Sequence, residues 1–270
     1  MKYKEKIIGF VDVLGWKNLV ARSENKNDVT LDDLLAYTKA FTTSKTRGTN
    51  YTFEHTICPN SGKISKDLDF QKTQVSDCAI LSCEKSPAGV IALISECHGM
   101  VYNLLCHGIM CRGYIVVGNI FHETGNKIIG TGYQYAMEME SKMGLPFVGI
   151  DPKVDEFISS HTDQCVQKIY SKLVLRGKDF TALFPFNELT DSFIIGSFMG
   201  IPLNIKEQRA SNQRNKILIQ KIIKLLGEHT DHKNEKALKK TKVYILELIE
   251  QLIGCHEAGD LLDQLEEELS

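Results

Sequence analysis

An excess of charge of either sign is missing from this chain. Its 32 Lys and Arg stand against 34 Asp and Glu, a formal net charge of −2. That balance removes any global electrostatic reason to expect nucleic acid or an anionic membrane as partner. No apolar run approaches the ~20 residues that a bilayer-spanning helix needs, so no membrane association is expected. The N-terminus, MKYKEKIIGFVDV, is basic and then apolar, but Asp12 interrupts the run and no small-residue cleavage site follows. It is therefore not read as a signal peptide. No CxxC pair occurs among the eight cysteines (Cys58, Cys78, Cys83, Cys97, Cys106, Cys111, Cys165 and Cys255), and most lie in apolar stretches where free Cys acts as a small hydrophobe. Reduced thiols and a cytoplasmic location are the expectation. A zinc site from Cys97, His98, Cys106 and His107 is disfavoured, because adjacent residues on a helix point in different directions. Internal repeats and low-complexity tracts are also absent.

What remains is ordinary globular composition, 43% hydrophobic and 24% charged over 270 residues. That length allows one large domain, or one domain with an extension. The chain opens on Ile7, Ile8, Phe10 and Val11, an apolar run that reads as a short buried strand with Asp12 at its end. Gly15 then frees the backbone before a helix over 16–24. Leu31, Leu34, Leu35, Thr38 and Phe41 recur at helical spacing, with Asp32 and Asp33 in the first turn where the helix dipole favours them. Residues 44–50 break the pattern, 51–57 read as a strand, and Pro59, Asn60 and Gly62 as a turn. Residues 68–83 look like two strands folded around Ser76 and Asp77. Pro87 opens a core helix carrying Val90, Ile91, Ile94, Cys97, Val101, Leu104 and Leu105. A strand over 109–118 embeds Arg112, which needs a carboxylate or phosphate partner. Thr124, Gly125 and Asn126 turn the chain into a strand over 127–129. Gly130 and Gly132 open a helix, 145–150 form a last strand, and Asp151 with Pro152 start another helix.

This order predicts an α/β fold, a mixed sheet with helices packed on it, over residues 1–155. Residues 156–270 are expected to form a mostly helical C-terminal extension. Within it, 165–205 read as irregular and apolar, with Phe180, Phe184, Phe186, Phe193 and Phe198. From Gln213 onward Ile217, Leu218, Ile222, Ile223 and Leu226, then Val243, Leu246, Ile249, Leu252 and Ile253, mark apolar helix faces. The lysines at 216, 221, 224, 236, 239, 240 and 242 read as a solvated face rather than a nucleic-acid contact.

Two carboxylates carry the chemistry. Asp12 ends the first strand, and Asp77 sits at the tip of a hairpin that would pair beside it. A carboxylate at a strand tip, followed by a Gly turn and a helix start, can hold a hard cation beside a phosphate. The plainer reading is that Asp12 caps the next helix. Two carboxylates on neighbouring strand ends, with a Gly loop between them, are what a two-metal phosphoryl-transfer site requires.

The segment Phe10-Val11-Asp12-Val13-Leu14-Gly15-Trp16 resembles the first metal motif of class III nucleotidyl cyclases, an FxDxxGF-type sequence. Val75-Ser76-Asp77 resembles their second metal motif. Arg112 to Gly118 resembles the arginine-led strand after the core helix, and Gly130 to Ala136 the Gly-to-helix segment. These matches run in order from about residue 7 to 151. Within the superfamily the chain looks most like the bacterial pyrimidine cyclases of Pycsar anti-phage defence. The resemblance implies a class III cyclase-like sheet and cyclisation of UTP or CTP to cUMP or cCMP plus pyrophosphate. It also implies a separate effector activated by the cyclic nucleotide, and a head-to-tail homodimer. It would give Asp12, Asp77 and the Val13 carbonyl to two Mg²⁺ or Mn²⁺ ions. Phe10, Leu14, Gly15, Trp16 and Lys17 would line the triphosphate, and Thr73 and Gln134 the nucleoside.

The departures from the family pattern are specific. Thr73 stands where purine cyclases place a base-reading Lys, which argues against ATP. Lys72 beside it would point to the opposite face of its strand. Gln134 takes the ribose-orienting Asn position, and Glu138 the transition-state Arg position. Arg112 and Lys17 are the cations available to replace that Arg. A purine cyclase, and a catalytically inactive cyclase-like domain that binds nucleotide or a partner, remain the alternatives.

Overall fold

The structure is a computed structural model. It describes residues 2–25, 28–42, 68–123, 127–143, 146–177, 180–184 and 205–230, with helical residues between 242 and 264. The strand expected at 51–57, the features either side of it, the turn at 124–126, and Phe186, Phe193 and Phe198 lie outside the described residues.

Strand β1 (Lys4–Val13) lies inside the sheet. It lies between β3 (Cys78–Glu84) and β4 (Cys111–Glu123), antiparallel to both. β2 (Gln71–Val75) closes one edge as the hairpin partner of β3. On the other side β6 (Val148–Ile150) runs parallel to β4, then β8 (Thr181–Leu183) and β7 (Val174–Arg176) follow. The order is β2-β3-β1-β4-β6-β8-β7, with β5 (Lys127–Ile129) paired on β4. The expected mixed sheet is thus present.

Both faces of β1 are covered, which explains its nearly continuous apolar run. Helix α3 (Pro87–Cys106) packs where Gly9 lies: a Cβ there would stand 3.0 Å from Leu93 Cδ2 and 3.3 Å from Cys97 Sγ. Ser86 caps α3, accepting from the Gly89 N–H at 3.0 Å, with Pro87 at the first helical position. By length and composition α3 could cross a membrane, contrary to the sequence expectation. Its apolar window is 67% buried, which accounts for its hydropathy as core. On the opposite face Ile8, Phe10, Ile80, Tyr114, Val116, Ile120 and Ala136 form one cluster, Ala136 coming from helix α4 (Thr131–Met143). Helices α1 (Trp16–Glu24) and α2 (Leu31–Thr42) follow β1 as expected. Thr30 and Asp33 cap α2 reciprocally, through Thr30 N–H to Asp33 Oδ2 at 2.8 Å and Asp33 N–H to Thr30 Oγ1 at 3.1 Å.

The region expected to be irregular is partly regular. After α5 (Pro152–Ser159), capped by Asp151, come α6 (Gln164–Leu173) and the strands β7 and β8. Val166 and Tyr170 bury one side of α6, and three-residue strands are too short to show a period. These elements join the sheet, so the first compact unit runs over residues 1–184 rather than ending at 155. The second unit spans 185–270 and contains α7 (Ile205–Thr230). Its buried stripe is Ile219, Ile222 and Leu226, with Ile245, Leu248, Leu252 and Cys255, whereas Ile217, Leu246 and Ile253 are exposed. Ile222, Leu226 and Leu252 are buried as expected, while Ile219, Ile245, Leu248 and Cys255 complete the faces in place of the exposed residues. Lys216 leaves the solvated face as well: its side chain is 14% exposed and its ammonium lies 2.6 Å from Asp260.

Candidate active site

The end of β1 is built by three local features. Asp12 lies opposite Cys78 on one neighbour and Arg112 on the other. The β2–β3 turn folds over it: Ser76 adopts φ 54°, and the Asp77 carbonyl accepts from the Val13 N–H at 3.1 Å. That bond clamps the hairpin tip to the strand end, and the Asp77 charge acts on Asp12 there. The Leu14 N–H donates to the Met110 carbonyl at 2.9 Å. Gly15 then takes φ 79° and ψ 17° at the N-cap of α1. Nothing lies within 4 Å of a Cβ built on Gly15, so its need for glycine is the left-handed backbone and not space.

Arg112 sits between two carboxylates. Its Nε and Nη2 each donate to Asp12 Oδ2 at 3.2 Å. On the other side Nε lies 2.5 Å from Oε1 of Glu140, a residue of α4 whose side chain is 4% exposed. This answers the demand that an embedded arginine makes for a counter-ion. Asp12 is nonetheless pushed up to about pKa 6, first by burial and next by the charge of Asp77, with Arg112 pulling it back only in part. The strand end is short of positive charge even with Arg112 in place.

Among the described residues no three His, Cys, Asp or Glu side chains converge as a protein-built cage. A pair of carboxylates with excess negative charge suits Mg²⁺ or Mn²⁺, since Mg²⁺ typically binds through one or two carboxylates plus water and substrate phosphates. The residues fit. The zinc constellation considered at Cys97, His98, Cys106 and His107 does not form: Cys97 and His98 are buried in α3, and His107 Nδ1 lies 2.8 Å from the Asn103 carbonyl.

The remaining sequence-selected residues divide. Val13 is buried beside Asp12, while Leu14 and Trp16 are half-buried and Lys17 is exposed at the start of α1. All follow Asp12 directly in the chain. Phe10 belongs to the core, 5% exposed and edge-on to Tyr133 with ring centroids 6.3 Å apart. Thr73 shares the sheet face with Asp12 but is 4% exposed, its hydroxyl 2.9 Å from His122 Nε2. His122 Nδ1 in turn lies 2.9 Å from Ser82 Oγ, and burial, with the Lys6 charge, lowers its pKa to about 4 and keeps the ring neutral. Gln134 lies on the exposed side of α4, as does Glu138, which pairs with Lys142 at 2.5 Å. Lys72 faces α3 and ion-pairs with Glu96 at 2.7 Å, on the opposite sheet face as its alternation with Thr73 requires.

Sequence reasoning missed Glu140. Gly132, Ala136 and Glu140 recur every four residues and are all buried, a spacing that puts the carboxylate on the sheet-facing side of α4. His122 and Ser82 carried no comparable signal.

No family model and no curated protein matches this chain. Among solved structures, one that it resembles is the catalytic core of a rhodopsin-guanylyl cyclase with converted specificity, in complex with ATPαS. That likeness has a TM-score of 0.41 at 12% identity, over 68% of this chain and 97% of the other. Another is the monomeric guanylyl cyclase domain of the RhoGC fusion protein from the aquatic fungus Blastocladiella emersonii. There the TM-score is 0.38 at 12% identity, over 67% and 96% of the two chains.

Proposed function

We propose that this chain is a divalent-metal-dependent nucleotidyl cyclase acting on a pyrimidine nucleoside triphosphate, UTP or CTP. The observation that carries the reading is Asp12 and Asp77 at one strand end, where the Asp77 carbonyl accepts from the Val13 N–H and the Asp77 charge helps raise the Asp12 pKa. In the proposed reaction the ribose 3′-oxygen attacks the α-phosphorus, the bond to the β-phosphate oxygen breaks, and pyrophosphate leaves. Asp12, Asp77 and the Val13 carbonyl would hold the cations, whose contribution when bound is to neutralise phosphate charge and acidify the 3′-hydroxyl. The backbone of Leu14 to Trp16, at the start of α1, would orient the triphosphate, with Lys17 and Arg112 adding positive charge beside it.

The pyrimidine preference rests on Thr73 in place of a base-reading lysine, as the resemblance implies. Gln134 is exposed on α4, and the homodimer that the resemblance implies would bring α4 of one copy to the carboxylates of the other. The product would act as a second messenger on a separate effector in anti-phage defence. The competing reading is an inactive cyclase-like domain. The specific observation in its favour is Glu138, an exposed acid paired with Lys142 where the family resemblance calls for an arginine.

Incubating the protein with ATP, GTP, CTP or UTP plus Mn²⁺, and identifying products by mass spectrometry, separates these. One cyclic pyrimidine product is the expected outcome, and a cyclic purine would transfer the assignment to a purine cyclase. Asp12→Ala and Asp77→Ala should each lower turnover by more than about 100-fold, since even outer-shell partners of a metal ligand typically cost 10- to 100-fold. Turnover that survives both substitutions would sink the two-metal assignment, and no product from any of the four nucleotides would favour the inactive domain.

A further inference from the structure

Arg112 is bonded to one of two available seats. Its Nε and Nη2 both donate to Asp12 Oδ2, at 3.2 Å each. Glu140 Oε1 lies nearer, 2.5 Å from Nε, yet it is buried and receives no hydrogen bond of acceptable geometry. The other Glu140 oxygen is served by the Ser141 hydroxyl at 3.0 Å. Oε1 is paired in charge with the guanidinium but accepts no aligned N–H, so it is a seat only partly used. The N–H groups that could satisfy it are already in contact and point at Asp12.

Charge gives the direction of the exchange. Asp12, Asp77 and Glu140 with Arg112 leave two negative charges at this strand end, which one divalent cation balances. A cation on Asp12 takes the oxygen that Arg112 now uses and repels the guanidinium. The only buried acceptor already in contact with Arg112, among the described residues, is then Glu140.

We propose that Glu140 is a positioning residue and the second seat of Arg112, to which the guanidinium turns when a divalent cation occupies Asp12. Arg112 is thereby kept beside the bound triphosphate instead of being expelled to solvent. This rests on the metal-dependent reading given above. It requires α4 to be held rigidly on the sheet. The Gly118–Gly132 contact does this: a Cβ on Gly118 would stand 2.6 Å from the Gly132 Cα.

The Nε–H resonance of Arg112, followed by ¹⁵N NMR as its exchange with water, tests the two seats. In the metal-free protein Asp12→Ala removes the first seat, and Nε–H should stay protected because Glu140 receives it. The double variant Asp12→Ala with Glu140→Met should exchange about tenfold faster or more, the effect of roughly one lost hydrogen bond. Asp12→Ala exchanging as fast as the double variant would overturn the proposal. Mg²⁺ should shift the resonance in the unsubstituted chain without loss of protection. Adding it to Glu140→Met should cause loss of protection, a difference that a merely structural Glu140 would not produce. Mg²⁺ that leaves the unsubstituted resonance unmoved would overturn the metal reading, and with it the functional half of the proposal. The metal-free comparison would still decide the two seats by itself.

Discussion

Asp12 is held at a cost to the fold. Its ordinary pKa of 3.8 is raised to about 6 in the folded chain, by burial first and by Asp77 second. Between those values the folded state binds a proton that the unfolded state has released. The stability of the metal-free protein therefore falls as pH rises from about 4 to about 6, and stays lower above that. Asp12→Asn removes the buried charge while Arg112 keeps Glu140. It should raise the unfolding midpoint at pH 7.5 by a few degrees, at roughly 2–4 °C per kcal/mol in a chain this size. The gain should vanish below about pH 3, where the wild-type carboxyl is protonated in both states. Calorimetric melts at the two pH values check this, and an equal gain at both would show that the charge is not the cause. The same carboxyl must ionise to take a cation, so Mn²⁺ affinity measured by titration calorimetry should weaken as pH falls through about 6. A carboxylate that lowers stability where it would bind a cation is the expected signature of a site kept for function.

At the scale of elements, the decisive contact is between α4 and the sheet. Gly118 of β4 and Gly132 of α4 approach so closely that a Cβ on Gly132 would stand 2.5 Å from Ile8 Cδ1 and 2.9 Å from the Gly118 Cα. Gly118→Ala should therefore destabilise the chain by about 1–3 kcal/mol, the usual cost of overpacking. A thermal melt reads the effect directly, and an unchanged midpoint would mean that α4 can slide. Helix and strand existence was legible where the apolar period was strong, as in β1, α3 and α4. It failed for α6, β7 and β8 because short elements leave no period to count. In α7 Ile222 and Leu226 are buried as expected, but Ile219 and not Ile217 completes the stripe, because neighbouring positions of an apolar-rich helix look alike.

At the scale of the whole molecule, the sheet needs residues beyond the expected boundary. β8 pairs with β6 through Gly149 and Ala182, and β7 pairs with β8. A chain ending at residue 155 would leave β6 as an uncovered edge and lose the buried Tyr170, Ala182 and Leu183. A chain ending at 184 keeps every one of these contacts. The 1–184 chain should melt cooperatively and bind Mn²⁺ as the full chain does, whereas 1–155 should aggregate or fail to show a transition. Equal behaviour of the two would return the boundary to 155. All the proposed metal and triphosphate residues lie in the first compact unit, which is why the 1–184 chain is expected to retain cation binding.

The sequence by itself determined that Asp12 ends a buried strand, that Asp77 sits at a hairpin tip, and that Gly15 breaks the backbone before a helix. Each is a local statement, set by apolar periodicity and by the few residues that tolerate a turn. Only the tertiary structure decided the rest, because those contacts span 100 residues, as between Arg112 and Asp12, or join a helix to a sheet, as between Glu140 and Arg112. Whether Thr73 faces a nucleoside or His122, and which carboxylates share one arginine, depends on strand register and helix rotation. A shift of one residue in either reverses the answer, and local composition does not distinguish the two cases.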